Sequence, residues 1–244
     1  MNPAYRLLLL SSSRTAGSGF LEHARNDIRQ FLDGRVRRAV FLPYAAVSVS
    51  YDDYLERVRP WFAQFDCAVS GLHRAADIAQ ALSDADLIVV GGGNTFRLLH
   101  ELYRYELLDR IRERLAGGAS YLGWSAGSNV ACPSIRTTND MPIIWPPLCD
   151  ALHLVPFQIN PHYTDQHPPG HQGETRAERI AEFTTLNPGM LVVGLREGSA
   201  LRVENGKVHL LGPHAARIAR GANSWDVAPG DCIETGLRPD DEKQ

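Results

Sequence analysis

Short runs of residues that favour strands alternate with segments whose apolar residues recur at helical spacing, and no other feature constrains the fold as strongly. This alternation continues through the first half of the chain. It is typical of a mostly parallel sheet covered by helices on both faces. Strands are predicted at 5–12, 37–42, 87–90, 120–124 and 191–195, and helices at 20–31, 54–65, 95–103 and 107–115. The sequence therefore predicts an α/β fold.

The alternation breaks between residues 132 and 171, a stretch rich in proline, aromatic residues and histidine. Trp145-Pro146-Pro147 and His167-Pro168-Pro169-Gly170 interrupt any regular element there. Long irregular stretches inside compact domains are usually functional loops, so we expect one here. A helix at 174–185 and two strands at 200–203 and 207–211, joined by the turn Glu204-Asn205-Gly206, are predicted to follow.

The composition is that of an ordinary globular protein, with 44% apolar and 22% charged residues. We assign residues 1–237 to a single α/β domain and 238–244 to a polar, frayed tail. A net charge of -3 and scattered basic residues argue against nucleic acid as a partner. The apolar run 7–10 is too short for a membrane span and lacks the pattern of a signal peptide, so a cytoplasmic protein without a membrane partner is predicted.

The cysteines lie far apart and form no C-x-x-C pair, which argues against a zinc site and against a disulfide framework. We interpret them as small core residues or free thiols; they are Cys67, Cys132, Cys149 and Cys232. Cys132 is a second, weaker candidate for a reactive group, because a thiol held at a helix N-terminus can be activated.

Gly123-Trp124-Ser125-Ala126-Gly127 fits the G-x-S-x-G pattern of a nucleophile elbow. It follows the predicted strand 120–124 and precedes a run that can form a helix, which is the context the mechanism requires. Such a turn strains the nucleophile, so the flanking residues must be small, and it leaves the N–H of Ala126 free for a developing oxyanion. The same residues also fit a tight turn in which the Ser125 hydroxyl caps the helix.

Gly91-Gly92-Gly93-Asn94-Thr95 follows the predicted strand 87–90 and opens a helix. Its backbone N–H groups could bind an anion or supply a second oxyanion donor. The spacing is not a nucleotide fingerprint, since Phe96 stands in place of the third glycine and no G-K-[ST] pair is present. The alternative is a flexible turn with Asn94 or Thr95 as the helix cap, but three glycines at the end of a strand favour close approach to a ligand.

A serine nucleophile needs a histidine within hydrogen-bonding reach, and nine histidines compete for this role. His162 is best placed, because it directly follows the apolar run 154–159 and Asn160-Pro161 fixes the chain there. Glu197 follows the predicted strand 191–195 and is the candidate orienting carboxylate; its alternative is a solvated turn residue paired with Arg196. The order Ser, His, Glu departs from that of α/β-hydrolases, in which the acid precedes the histidine.

Five blocks resemble the peptidase E family of aspartyl dipeptidases, in the family's order and over roughly residues 5–215: GGGNTF (91–96), GWSAGSN (123–129), TTNDMP (137–142), QINPHY (158–163) and GETR (173–176). The resemblance implies a fold similar to class I glutamine amidotransferases, a flavodoxin-like three-layer sandwich in which serine replaces the amidotransferase cysteine. It also implies hydrolysis of dipeptides whose N-terminal residue is aspartate, without a metal or organic cofactor.

The resemblance implies Ser125 as the nucleophile, His162 as the base and Glu197 as its orienting carboxylate. These are the same three residues that the strand ends and the chemistry selected. The family's oxyanion donors map to the backbone N–H groups of Gly93 and Ala126.

The resemblance also implies that Arg176 binds the side-chain carboxylate of the substrate, which a planar guanidinium can grip with two hydrogen bonds. A positive charge near a helix N-terminus invites a compensating anion, and Glu174 or Glu178 could supply it instead. Asp140 is expected to meet the free amino group of the substrate. Asn94 is expected to bind substrate as well.

This chain departs from the resembled family before Glu197, where family members commonly carry proline and this chain carries Arg196.

Two other functions are compatible with the same fold and compete with the dipeptidase. One is a cyanophycinase-like hydrolase of the same fold, which releases aspartyl units from a branched polymer. The other is a catalytically silent binding module on the same scaffold. Either a monomer or a homodimer is expected.

Overall fold

The computed structural model describes residues 5–167, 170 and 172–235. Its strands are β1 (Leu7–Leu10), β2 (Arg38–Leu42), β3 (Ala68–Gly71), β4 (Leu87–Val90), β5 (Ser120–Trp124), β6 (Gln158–Tyr163), β7 (Val192–Arg196), β8 (Ala200–Glu204), β9 (Lys207–Leu211), β10 (Ala216–Arg220) and β11 (Asn223–Val227). Its α-helices are α1 (Arg25–Leu32), α2 (Tyr51–Ala63), α3 (Ile78–Ser83), α4 (Thr95–Arg104), α5 (Leu107–Ala116), α6 (Ala126–Asn129) and α7 (Arg176–Leu186). Every predicted element is present; β4, β5 and β9 have the predicted ends, and the other predicted elements have shifted ends. The predicted tail 238–244 lies outside the described residues.

The larger sheet has the strand order β3-β2-β4-β5-β1-β8-β9. Strands β1 to β5 pair in parallel, and β8 and β9 continue the sheet in antiparallel pairing beyond β1. Parallel strands bring their carboxyl ends to one edge, and ligands of open α/β sheets bind in the crevice outside that edge. The residues that follow β1, β4 and β5 therefore lie near one another.

Both faces of this sheet are buried, because apolar residues occupy consecutive positions in the central strands. In β1, Leu7 and Leu9 pack with α4 and α5, while Leu8 and Leu10 pack with α1 and α2 on the opposite face. Burial of each such leucine stabilises the fold by about 1.5–3 kcal/mol relative to an exposed one. The three-layer α/β architecture predicted from the sequence is confirmed.

A second, four-stranded sheet with the order β11-β10-β7-β6 was not predicted. Its strand β6 lies inside the stretch 132–171 that the sequence pattern marks as irregular, and this part of the prediction is wrong. Pro161 is tolerated there because β6 is an edge strand and the pairing with β7 shifts register between Pro161 and Tyr163. The second sheet positions one side of the site.

Local chemistry explains the helix starts that the apolar pattern placed a few residues away. Helix α2 begins after Ser50, whose hydroxyl accepts from the Asp53 N–H, and α7 begins after Thr175, which forms a capping box with Glu178.

Among the described residues, no helix combines the length and apolar character needed to cross a membrane.

Candidate active site

Ser125 occupies a strained turn between β5 and α6, with φ of 53° and ψ of -113°. A Cβ atom on Gly123 would lie 2.6 Å from the Gly127 carbonyl carbon, and one on Gly127 would lie 2.2 Å from the Val90 carbonyl oxygen. Glycine is therefore required on both sides of the turn. The Ser125 hydroxyl makes no capping hydrogen bond, so the helix-cap interpretation of this serine is wrong.

His162 joins the serine to the carboxylate. Its Nε2 lies 2.9 Å from the Ser125 Oγ, and its Nδ1 lies 2.7 Å from the Glu197 Oε1. A carboxylate on Nδ1 fixes the tautomer in which Nε2 is free to accept the serine proton. The structure thus brings together the three residues selected from strand ends in the sequence.

Ser11 is a buried residue of this site that sequence reasoning missed. It follows β1, accepts a hydrogen bond from the His162 N–H at 2.9 Å, and donates one to the Leu195 carbonyl at 2.7 Å. Its hydroxyl therefore ties the larger sheet to both β6 and β7. The available signal was a serine at the C-terminal end of an apolar strand.

Arg196 holds the backbone immediately before Glu197. Its Nε donates to Asp165 Oδ2 at 2.8 Å, its Nη1 donates to the Ala215 carbonyl, and its guanidinium lies over the Tyr163 ring. Burial works against its charge, but the hydrogen bond to Asp165 leaves the Arg196 pKa raised. These contacts restrain the turn in place of the proline common in the resembled family.

The Gly93 and Ala126 N–H groups donate no hydrogen bond to any described residue. Gly93 has φ of 141°, and a Cβ atom there would lie 2.2 Å from the Ala45 carbonyl oxygen, so only glycine fits. A Cβ atom on Gly92 would lie 3.0 Å from the Ser125 Cβ. The segment Gly91–Gly93, here called the glycine loop, therefore lies directly against the serine. The two free donors are available to an oxyanion at this point.

Tyr54 connects the glycine loop to Trp124 beside Ser125. Its hydroxyl accepts from Trp124 Nε1 at 2.9 Å and donates to the Gly92 carbonyl at 3.2 Å. Because a trans peptide points its C=O and N–H in opposite directions, this bond also directs the Gly93 N–H away from Tyr54. Sequence reasoning missed this residue, since an aromatic residue at a helix start is usually core.

Asp140 and Asn94 both bind the N-terminus of α4. One Asp140 oxygen accepts from the Thr95 N–H at 2.7 Å and from the Thr95 hydroxyl at 2.6 Å, while the other accepts no hydrogen bond from a described residue. The Asn94 oxygen caps α4 and its nitrogen donates to the Met141 carbonyl at 2.9 Å. Asn94 therefore holds the loop 139–142 in place and retains one amide hydrogen for a ligand.

Arg176 is a half-buried cation without a carboxylate partner among the described residues. Glu178 is engaged in the capping box of α7, and Glu174 lies 3.9 Å from Arg179 instead, so neither compensates Arg176 as proposed from the sequence. Burial lowers the pKa of its guanidinium, and the charge of Arg179 lowers it further. An arginine stays protonated at neutral pH, so the site retains an uncompensated positive charge.

Asn139 links Arg176 to the histidine strand. Its side-chain oxygen accepts from the Arg176 guanidinium and from Asn160 Nδ2, and its nitrogen donates to the Pro161 carbonyl at 2.6 Å. Pro161 directly precedes His162, so the cation and the His162 ring share one hydrogen-bonded support. The TTNDMP block contained this residue, but sequence reasoning gave it no role.

Cys132 is not a second nucleophile. It is fully buried, and its Sγ accepts from the Ile159 N–H at 3.1 Å. Burial raises the pKa of the Cys132 thiol far above its usual range, which keeps it protonated and inert.

In the described part of the chain, no group of three or more His, Cys, Asp or Glu side chains is arranged to hold a metal ion.

Comparison with known proteins decides the family. The sequence model of peptidase family S51 matches residues 7–211, which include the serine, the histidine and the glutamate. The chain belongs to peptidase family S51. This S51 peptidase is thereby confirmed as an enzyme of the serine-type dipeptidase class predicted from the resemblance to peptidase E.

Relatives of this S51 peptidase match it over nearly their whole length. Peptidase E of Shewanella amazonensis is 54% identical over 217 residues, covering 89% of this chain and 92% of the relative. Peptidase E of Shewanella baltica strain OS195 is 53% identical over 233 residues, covering 95% and 97%. A solved peptidase structure from an acI-B1 Actinobacterium has a TM-score of 0.71 at 16% identity, covers 94% of this chain and 96% of its own, and supports the fold.

Proposed function

We propose that this S51 peptidase hydrolyses dipeptides whose N-terminal residue is aspartate, with Ser125, His162 and Glu197 as its catalytic triad. The observation that carries the substrate assignment is Arg176, a half-buried guanidinium with no carboxylate partner among the described residues, joined through Asn139 to the support of His162. A site with this charge favours a substrate that brings its own carboxylate.

In the acylation step, the Ser125 Oγ attacks the carbonyl carbon of the peptide bond while His162 Nε2 takes the hydroxyl proton. The C–N bond then breaks, and the leaving amine takes that proton from His162. Glu197 holds the ring through Nδ1 and stabilises the imidazolium that forms between these events. The aspartyl residue remains bound to Ser125 as an ester.

In the deacylation step, water attacks the ester carbonyl and gives one proton to His162. The Ser125 Oγ leaves and takes the proton back, which restores the free enzyme and releases aspartate. In both steps the negative charge on the carbonyl oxygen lies within reach of the Gly93 and Ala126 N–H groups. Donors fixed before the reaction stabilise this charge without reorganisation.

The remaining site residues would distinguish the substrate's ends. The Arg176 guanidinium would bind the aspartate side chain with two hydrogen bonds. The free oxygen of Asp140 would accept from the substrate ammonium group, and the free amide hydrogen of Asn94 would donate to the substrate.

The name peptidase E carried by the Shewanella relatives supports a dipeptidase over the polymer-degrading alternative. The cytoplasmic location and the monomeric or homodimeric state stay predictions of the sequence.

Removal of the Arg176 cation should abolish the preference for aspartate. We expect the wild type to cleave Asp-Leu far better than Asn-Leu, Glu-Leu or Ala-Leu. Arg176→Ala should lower kcat/KM for Asp-Leu by about a hundredfold, because a desolvated charge pair is lost. Arg176→Lys should give an intermediate loss, since an ammonium cannot bind a carboxylate with two parallel hydrogen bonds.

Arg179→Ala is the matched control, because Arg179 lies on the same helix but is exposed and faces Glu174. Its kcat/KM for Asp-Leu should change by less than about twofold, as is usual for a surface pair. An equal loss for all four dipeptides in Arg176→Ala would contradict the assignment, and a wild type without preference for Asp-Leu would overturn the proposed substrate.

Loss of the Tyr54 hydroxyl should weaken catalysis without weakening substrate binding. Tyr54→Phe removes the hydrogen bond that holds the Gly92 carbonyl, and the peptide group that carries the Gly93 N–H is then less firmly oriented. We therefore expect kcat for Asp-Leu to fall about tenfold while KM changes little. The Trp124 Nε1 loses its acceptor, which should also lower the free energy of unfolding by about 1–3 kcal/mol.

Tyr51→Phe provides the control for this effect. Tyr51 lies on the same helix, but its hydroxyl accepts from Arg97, and among the described residues it forms no hydrogen bond with Gly91, Gly92 or Gly93. Steady-state kinetics and thermal unfolding should show that Tyr51→Phe retains kcat. A change confined to KM in Tyr54→Phe would show that the hydroxyl does not act through the oxyanion donors.

A further inference from the structure

We infer that the cleft of about 300 Å³ beside Ser125 binds the leaving residue of the dipeptide, and that Arg57 binds the terminal carboxylate of that residue. This inference rests on the proposed function and adds the second half of the substrate to it. Nothing in the family membership assigns Arg57 a role.

The cleft lies where the leaving group must depart. Its lining includes Ser125, His162 and Gly93, and the leaving amine must lie beside His162 because it takes a proton from that ring. Arg176 and Asp140, which the proposed function gives to the aspartyl residue, are absent from this lining. The two halves of a dipeptide would therefore occupy opposite sides of the serine.

Arg57 lines the cleft from α2, three residues after Tyr54 and hence on the same helix face. Tyr54 and Arg57 both line this cleft. Burial raises the pKa of the Tyr54 hydroxyl to about 12, and the positive charge of Arg57 acts in the opposite direction. Arg57 and Ser125 thus line the same space.

The acidic residues next to Arg57 on α2 are engaged elsewhere. Glu56 pairs with Arg59 at 2.8 Å and with Arg74 at 3.5 Å, and the Asp53 carboxylate accepts from the Ser50 hydroxyl at 2.7 Å. Among the described residues, no carboxylate lies within 4.0 Å of the Arg57 guanidinium. A cation that lines a cleft without a counterion raises the local concentration of anionic ligands.

A free dipeptide supplies the matching anion, since its leaving residue always ends in a carboxylate. The guanidinium of Arg57 can bind that group with two hydrogen bonds. The lining also includes residues 46–49, in which Val47 and Val49 can contact the leaving side chain. The volume lies at the lower end of the range for small-molecule sites, which suits one residue better than a long peptide.

Comparison of Asp-Leu with Asp-leucinamide tests this inference, because the two substrates differ only in the terminal carboxylate. The wild type should have a kcat/KM about tenfold higher for Asp-Leu than for the amide, and in Arg57→Gln this ratio should fall to within about twofold. Arg59→Gln is the matched control and should keep the wild-type ratio, because Arg59 pairs with Glu56 and does not line the cleft.

Three results would overturn the inference. The wild type could cleave both substrates equally well, or Arg57→Gln could lower kcat/KM for both by the same factor; either result leaves the aspartate specificity intact and removes the role of Arg57. Failure of the wild type to cleave either substrate would instead overturn the proposed function, and this inference with it.

Discussion

Ser125→Ala is expected to lower kcat for Asp-Leu by about a million-fold, to the residual rate that binding and the oxyanion donors alone supply. The Ser125 hydroxyl contacts His162 and makes no capping bond, so its removal leaves the turn without a lost structural contact. The thermal unfolding midpoint should therefore stay close to that of the wild type. Steady-state kinetics and thermal unfolding on the same preparation measure both quantities.

His162→Ala should lose a comparable amount, and the double variant should be no slower than either single variant, because the residues act as one unit. A fluorophosphonate probe should label the wild type at Ser125 and leave Ser125→Ala unlabelled. Turnover of Asp-Leu retained in Ser125→Ala would exclude this serine as the nucleophile.

Gly127→Ala is expected to destabilise the whole fold. The new Cβ atom would lie 2.2 Å from the Val90 carbonyl oxygen. That oxygen belongs to the backbone of β4, and the Cβ atom is fixed directly to the backbone of α6, so no side-chain rotation can relieve the overlap. The turn and β4 would have to separate, at a cost of about 3 kcal/mol or more in the free energy of unfolding. For a chain of this size that lowers Tm by roughly 6–12 °C. Calorimetry measures the loss.

Gly189→Ala is the control, because a Cβ atom there would meet no heavy atom within 4 Å. Its Tm should stay within about 2 °C of the wild type, as for most surface substitutions. An equal change in both variants would show that glycine at position 127 serves chain flexibility and not the close approach of α6 to β4.

The parts of the fold that follow from local chemistry could be predicted from sequence. The strands of the larger sheet are short apolar runs with turn residues at their ends, and the elbow residues carry their own steric constraint. The second sheet could not be predicted, because β6 contains Pro161 and places His162 at φ of 54°, a combination that argues against a strand. Pairing at a register shift with β7 overrides that local signal.

The same distinction holds for the site. Ser125, His162 and Glu197 follow from the chemistry expected at strand ends, and the resemblance to peptidase E supplied Arg176. Ser11, Tyr54 and Asn139 act only through contacts between residues far apart in the chain, so no spacing pattern identifies them. The role of Asn94 as a helix cap was visible in sequence, since asparagine before a helix is favoured there.

The proposed catalytic triad draws its residues from both sheets. The proposed nucleophile Ser125 follows β5 of the larger sheet, whereas His162 lies in β6 and Glu197 follows β7 of the smaller one. The Ser11 hydroxyl, which follows β1, forms hydrogen bonds with both β6 and β7. The distance from serine to histidine is therefore a measure of how the sheets are aligned. A substitution far from the cleft that slides one sheet along the other would lower kcat as a substitution in the triad does, although Ser125, His162 and Glu197 are all still present.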